Sequence, residues 1–235
     1  MTKQELEGKY ANLIQAQQAT PMREIIGNIK SNVDIFDIFD FFMYQVPSSS
    51  ALVGDYKINK INKNKKDELL NKLIVSAFKD KSKCLLFTDN DIDVKKIEAL
   101  NLADNNITFN EVKGYINKTS HGLNSLFSLV RNSLAHGRVS IHNNEKQFIF
   151  LENITEKSYE SINGKKGNIS VVTLRLILTL ENLCALKDTY KQFVDKANKK
   201  EEKERKEKKE EEKNKAKEKK DNKTKTKKQR PKKKS

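Results

Sequence analysis

Apolar side chains recur at helical spacing along much of this chain. Leu6, Tyr10, Leu13 and Ile14, continued by Gln17, share one face of a predicted helix over 3–19. Thr20 and Pro21 suit an N-cap and a first helical position, and Met22, Ile25, Ile26 and Ile29 follow at i, i+3, i+4 and i+7. Asp67 caps a predicted helix whose apolar side is Leu69, Leu70, Leu73, Ile74, Ala77 and Phe78. Asp89 or Asp91 caps another with Val94, Ile97, Leu100 and Leu102, and Thr108 caps a short one through Ile116. Ser120 starts a helix whose stripe is Leu123, Leu126, Phe127, Val130 and Leu134, and Gly137 stands where a left-handed residue would stop it. Ser170 opens the longest and most apolar helix, through Leu174, Ile177, Leu178, Leu180, Leu183, Leu186, Tyr190, Phe193 and Val194. Its first half is apolar almost all round, which predicts a central position or an oligomer interface.

Strand signals are few. Residues 84–87 form an apolar run that suits a short strand, although four residues do not separate strand from helix. Arg138 to His142 and Gln147 to Leu151, with a turn over 143–146 between them, predict a β-hairpin. Residues 46–50 and 162–168 read as loops, and 56–66 as irregular. The expected fold is an all-α helical bundle with a small β-hairpin insertion and a disordered or helical basic C-terminal tail. Residues 1–107 would form the N-terminal helical part, 108–196 the segment with the hairpin and the long final helix, and 197–235 the tail.

The formal charge of +15 suggests nucleic acid, but its distribution changes that picture. Residues 199–235 hold 20 Lys/Arg against 9 Asp/Glu, and the other 198 residues hold 27 against 23. The body of the chain is close to neutral and the high pI belongs to the tail. From Lys196 to about Lys220, Lys and Glu alternate as in a solvated helix held by i,i+4 pairs, and the end past Asp221 is expected to be disordered. Lys223 to Lys234 carries eight cations and no anion, which fits phosphate binding and a solubilising end equally well. Cys84 and Cys184 lie far apart without metal-ligand spacing and fit a reducing compartment. The N-terminus lacks an apolar signal region, and the run from Leu174 to Leu186 is interrupted by Arg175, Glu181 and Asn182 and is too short to span a bilayer. A cytoplasmic protein with no membrane partner is expected.

Asp34, Asp37 and Asp40 recur every three residues in an otherwise apolar and aromatic stretch. A carboxylate stripe of this kind could hold a divalent metal. Without a nearby His or Gly loop it is read as the wet stripe of a helix buried on two sides. No Cys/His set with zinc spacing, glycine-rich phosphate loop or nucleophile elbow is present, and no cofactor is expected.

The remaining candidate chemistry is concentrated at the end of the 120–137 helix. Asn132 and His136 lie at i and i+4, so they share a helix face, and Arg131 is one position round. His136 falls in the last turn, where the helix dipole favours the imidazolium. Gly137 leaves room for a substrate backbone. Phosphodiester cleavage through an RNA 2′-hydroxyl wants this set: a proton carrier near neutral pH, a guanidinium on the phosphate oxygens, and an amide to orient one of them. These groups need no metal. One helix supplies one His, so a second proton-transfer group, or a second copy of the site in a dimer, is required. His121 and His142 read as surface residues rather than catalytic ones. With 6 Arg and 3 His in 235 residues, Arg-x4-His arises by chance about 0.08 times.

Arg131-Asn-Ser-Leu-Ala-His136 resembles the Arg-x4-6-His motif of HEPN domains in its Arg-Asn-x3-His form. The sequence around it, Val130 to Val139 followed by a hairpin and a long helix, is similar to a HEPN branch with a β insertion after the motif. The resemblance covers about residues 108–195. It implies an all-α bundle and a metal-independent endoribonuclease acting as a homodimer, whose composite cleft joins the motifs of both copies. On it, Arg131, Asn132 and His136 form the catalytic set, and Arg138 and Ser133 are substrate contacts. It also implies RNA as partner, a possible cognate antitoxin or inhibitor protein, and a role as a toxin or anti-phage effector. HEPN toxins paired with a nucleotidyltransferase usually carry Tyr two residues after the His, and Arg138 stands there in this chain. The competing expectation is a non-catalytic helical module that binds RNA or a protein partner.

Overall fold

A computed structural model describes residues 1–14, 35–45, 63–103, 107–117, 123–143 and 147–228. The expected helix around Met22 to Ile29 and the loop at 46–50 lie outside these residues. Two compact units are present, Met1–Lys191 and Gln192–Ser235.

The first unit begins with α1 (Lys3–Tyr10), closed at its start by a capping box: Thr2 Oγ1 accepts from the Glu5 amide at 3.2 Å, and Glu5 Oε2 accepts from the Thr2 amide at 2.7 Å. A 3₁₀ turn, Ala11–Ile14, extends it. Next come α2 (Ile35–Asp40), running into a π turn at Phe41–Gln45, and α3 (Lys63–Phe78). α3 starts four residues before the expected Asp67 cap, and all six residues assigned to its apolar side are buried. β1 (Cys84–Phe87) forms as expected. α4 (Val94–Ala99) is capped by Asp93, whose side chain accepts from the Lys96 amide at 3.2 Å. Asp91 accepts from the Thr88 amide and hydroxyl in the turn before it, and Asp89 is committed elsewhere. β2 (Lys113–Asn117), α5 (Leu123–Ala135), β3 (Val139–Asn143), β4 (Gln147–Glu160), β5 (Lys166–Leu178) and α6 (Leu180–Lys228) complete the chain.

The five strands make one mixed sheet in the order β1-β2-β5-β4-β3, with β1 and β2 parallel and every other pair antiparallel. The fold is therefore α/β, and the expected all-α bundle is overturned. The hairpin after the motif exists as β3 and β4, but it is part of this larger sheet. Two segments read as helical are strands. The short helix expected from Thr108 to Ile116 gives way to β2, and the helix expected to open at Ser170 gives way to β5, the helix itself starting at Leu180. β5 is central, and Val171 to Leu178 are all buried, so it shows the near-continuous apolar run of a strand covered on both faces. Gly114 on β2 lets the strands meet, since a Cβ there would lie 2.6 Å from Leu176 Cδ2 and 2.8 Å from the Arg175 carbonyl oxygen.

Helices cover both sheet faces. Leu6, Tyr10 and Leu13 from the N-terminal segment and Ile97 from α4 cluster with Phe87, Tyr115, Phe150 and Ile177. α5 packs on β4 and β5, and its stripe stays outside that cluster, so it covers the opposite face. There Phe127 meets Tyr190 of α6 at 4.8 Å between ring centroids, and Phe42 of the π turn at 6.1 Å.

Charged groups also enter this interior. Arg175 and Glu152, opposite each other on β5 and β4, are each 0 % exposed. Arg175 Nε donates to Glu152 Oε2 at 2.7 Å, and Nη1 donates to the Leu102 carbonyl at 2.7 Å. Asp89, just after β1, accepts from Lys157 Nζ at 2.5 Å, Asn117 Nδ2 at 2.7 Å and the Tyr10 hydroxyl at 3.1 Å, which ties α1, β2 and β4 to one carboxylate. In the aspartate stripe, Asp37 accepts from Lys187 and Asp40 from Gln45 Nε2, while Asp34 lies outside the described residues. Among the described residues no group of three or more His, Cys, Asp or Glu is placed to hold a metal ion.

The second unit is the continuation of α6, helical to Lys228 and so past Asp221, where a disordered end was expected. Its i,i+4 ion pairs include Glu202–Lys206 at 2.8 Å and Lys203–Glu207 at 3.8 Å. No helix among the described residues is long and apolar enough to cross a membrane.

Candidate active site

α5 divides its residues by face. Leu126, Phe127, Val130, Ser133 and Leu134 are buried, whereas Asn132, Ala135 and His136 are exposed. The C-terminus of the helix is held by a Schellman motif. The Arg138 amide reaches back to the Ser133 carbonyl at 2.8 Å, and the Gly137 amide to the Leu134 carbonyl at 3.1 Å. Gly137 takes the left-handed conformation this motif needs, with φ 62°. His136 is then the capping residue, and its amide donates to the Asn132 carbonyl at 3.0 Å. The backbone thus fixes where the imidazole leaves the helix, one turn from the Asn132 amide on the same exposed face.

The other expected site residues are less open. Arg131 is half-buried, engages other groups of the protein, and has its Nε enclosed. Ser133, expected to touch substrate, is 0 % exposed and donates its hydroxyl to the Leu129 carbonyl at 2.8 Å. It lies in the interior, and its hydroxyl is committed to the helix's own backbone. Arg138 is half-buried and already engaged within the protein, and its carbonyl accepts from the Glu152 amide at 3.0 Å. The residue two places after the motif is thereby fastened to β4, whose Glu152 pairs with the buried Arg175 of β5.

His121 lies outside the described residues. His142, on β3, is half-buried, stacks on Phe109 with ring centroids 3.4 Å apart, and shares a hydrogen bond with the Ser140 hydroxyl at 2.7 Å. Burial pushes its pKa below that of an ordinary imidazole. It sits in a packed aromatic contact, unlike the open position of His136. Cys84 is buried and Cys184 half-buried; both are free thiols, and burial raises the pKa of each.

Sequence reasoning missed a cavity of about 820 Å³ at one end of the sheet, lined by Ala77 and Phe78 of α3, Glu111, Phe148 of β4 and Asn182 of α6. Asn182 Nδ2 donates to the Ala77 carbonyl at 2.8 Å and fixes one wall. Its residues come from four separate stretches, so no local signal announces it. None of Arg131, Asn132 and His136 lines it.

Electrostatically, the exposed end of α5 combines the partial negative charge of a helix C-terminus with an imidazole and an amide. Such a face can exchange a proton and orient a phosphate oxygen. No family model matches the chain, and neither does any curated protein or solved structure.

Proposed function

We propose that this chain is a metal-independent endoribonuclease that works as a homodimer through the HEPN-like motif Arg131-Asn-Ser-Leu-Ala-His136, carried here on an α/β fold. The observation that carries this reading is the exposure of Asn132 and His136 on one face at the capped end of α5. His136 takes the proton of the RNA 2′-hydroxyl, whose oxygen then attacks the adjacent phosphorus. The 5′-oxygen leaves with a proton from His136 of the second copy, and a 2′,3′-cyclic phosphate remains. Arg131 lies against the non-bridging oxygens as charge builds on them, and Asn132 orients one of them or the imidazole. Arg138 adds a phosphate contact. A role as a toxin or anti-phage effector, and with it a cognate antitoxin or inhibitor protein, goes with this chemistry.

The experiment is purified protein with RNA in excess EDTA, beside Arg131→Ala and His136→Ala. The wild type is expected to cut and to leave cyclic phosphate ends, with each variant slowed at least ~100-fold. RNA left equally intact by all three would end this reading.

The half-buried, engaged Arg131 favours a second reading, a non-catalytic module that binds RNA or a protein partner. In that case RNA stays whole and His136→Ala leaves binding unchanged.

A further inference from the structure

Within the second unit, charge is arranged in two different ways along the sequence. Residues 199–218 hold 10 Lys/Arg and 8 Glu, and residues 219–235 hold 10 Lys/Arg and one Asp. In the first stretch, lysines meet carboxylates one turn away, as in Lys200–Glu204, Lys203–Glu207 and Glu202–Lys206. Starting at Lys215, near the end of the first stretch, positions 215, 219, 223 and 227 are all Lys, spaced four apart, so they fall on one face of the helical backbone that runs to Lys228. Lys219, Lys223 and Lys227 have no carboxylate three or four positions away in the sequence, and each has another Lys at that spacing. Like charges at i,i+4 destabilise a helix, and a polyanion laid along the face removes that repulsion.

We infer that this lysine face, Lys215, Lys219, Lys223 and Lys227, is a binding surface for the phosphate backbone of single-stranded RNA. Repeating phosphates suit lysines that recur on one face of the helical backbone, since an ammonium is a compact point charge that needs no fixed geometry. No aromatic residue occurs between 199 and 235, so bases have no ring to stack on and binding is indifferent to sequence. The same stretch has no large apolar side chain to enter a lipid layer. The inference rests on the RNA reading above only for its choice of polyanion.

The test uses the full chain and a fluorescent 20-nucleotide 2′-O-methyl oligouridine. This probe cannot be cut through its 2′-position, so absence of nuclease activity leaves the readout unchanged. Two variants with equal loss of charge are compared: Lys→Gln at 215, 219, 223 and 227, and Lys→Gln at 200, 203, 206 and 208. Gln keeps helix propensity, and circular dichroism verifies the helix in both. Removing the lysine face is expected to weaken binding at least ~10-fold at 0.1 M salt and to lower the slope of log K against log salt by about 3, at ~0.7 per lost phosphate contact. The other variant should keep most of the affinity and slope. Equal losses in the two variants would show a response to net charge alone and overturn the inference. Unchanged binding in the first variant would overturn it too, as would wild-type binding to phosphatidylserine vesicles without binding to the oligouridine.

Discussion

Glu152 with Arg175, and Asn132 with His136, are two polar sets in the first unit with opposite surroundings. The former pair is wholly buried, matched in charge and centred on the sheet. The latter is exposed at a helix end. A buried pair holds β4 and β5 in register, because a slip by one residue would strand a charge in the interior. An exposed imidazole and amide at a helix end add little to folding and stand open to solvent. The difference separates residues that maintain the fold from residues left available for chemistry.

Breaking the buried pair should have the largest effect on stability. Arg175→Ala leaves the Glu152 carboxylate without its cation in the interior and is expected to cost about 3–5 kcal/mol in chemical denaturation. Arg175→Met combined with Glu152→Leu should recover most of that loss, since no charge is then stranded. Failure of the double variant to recover would mean that the pair's geometry, beyond its neutrality, holds the sheet.

Gly137→Ala sharpens the contrast at the junction of the two regions. It forces a Cβ onto a backbone at φ 62° and is expected to cost about 1–2 kcal/mol by thermal or chemical unfolding. A neutral result would mean that the Schellman turn relaxes without harm, and His136 would lose its fixed exit from the helix.

Asp89 lies between the two extremes, half-buried and accepting three hydrogen bonds. Burial raises its pKa, but hydrogen bonds from Lys157, Asn117 and Tyr10, with the Lys157 charge, outweigh that and hold the carboxyl below its ordinary value. A carboxyl depressed in the folded state stabilises it above the unfolded pKa, and that contribution fades as pH falls through the folded value. Asp89→Asn is expected to cost about 0.5–1 kcal/mol at pH 7, modest because the group is partly solvated. As pH falls below the ordinary carboxyl value of 3.8 the difference from wild type should shrink, which denaturation at pH 7 and in acid will show.

The sequence made the helical half of this arrangement legible. Every apolar position assigned to α3 is buried, and Gly137 takes the left-handed turn it was expected to take. The hairpin of β3 and β4 also stands where the alternation placed it. β2 and β5 were not legible, because central strands covered on both faces lose the period-two signal. In β5 the run through Leu174, Ile177 and Leu178 also satisfies a helical template. Only long-range pairing, with Glu152 opposite Arg175, decides between the two. Ser133 was legible in principle: it stands three residues after Val130 and seven after Leu126, on the buried stripe rather than beside Asn132. The Asp93 cap was obscured by two nearer-looking aspartates, each with a partner elsewhere.

His136→Ala tests the separation of the two regions most directly when stability and cleavage are read on the same preparation. The unfolding midpoint should correspond to a change within about 0.5 kcal/mol, as for an exposed residue. Cleavage of RNA in EDTA should fall at least ~100-fold. A variant that cuts RNA as fast as the wild type, or one that loses activity only as it loses its fold, would contradict the assignment of this helix end to catalysis.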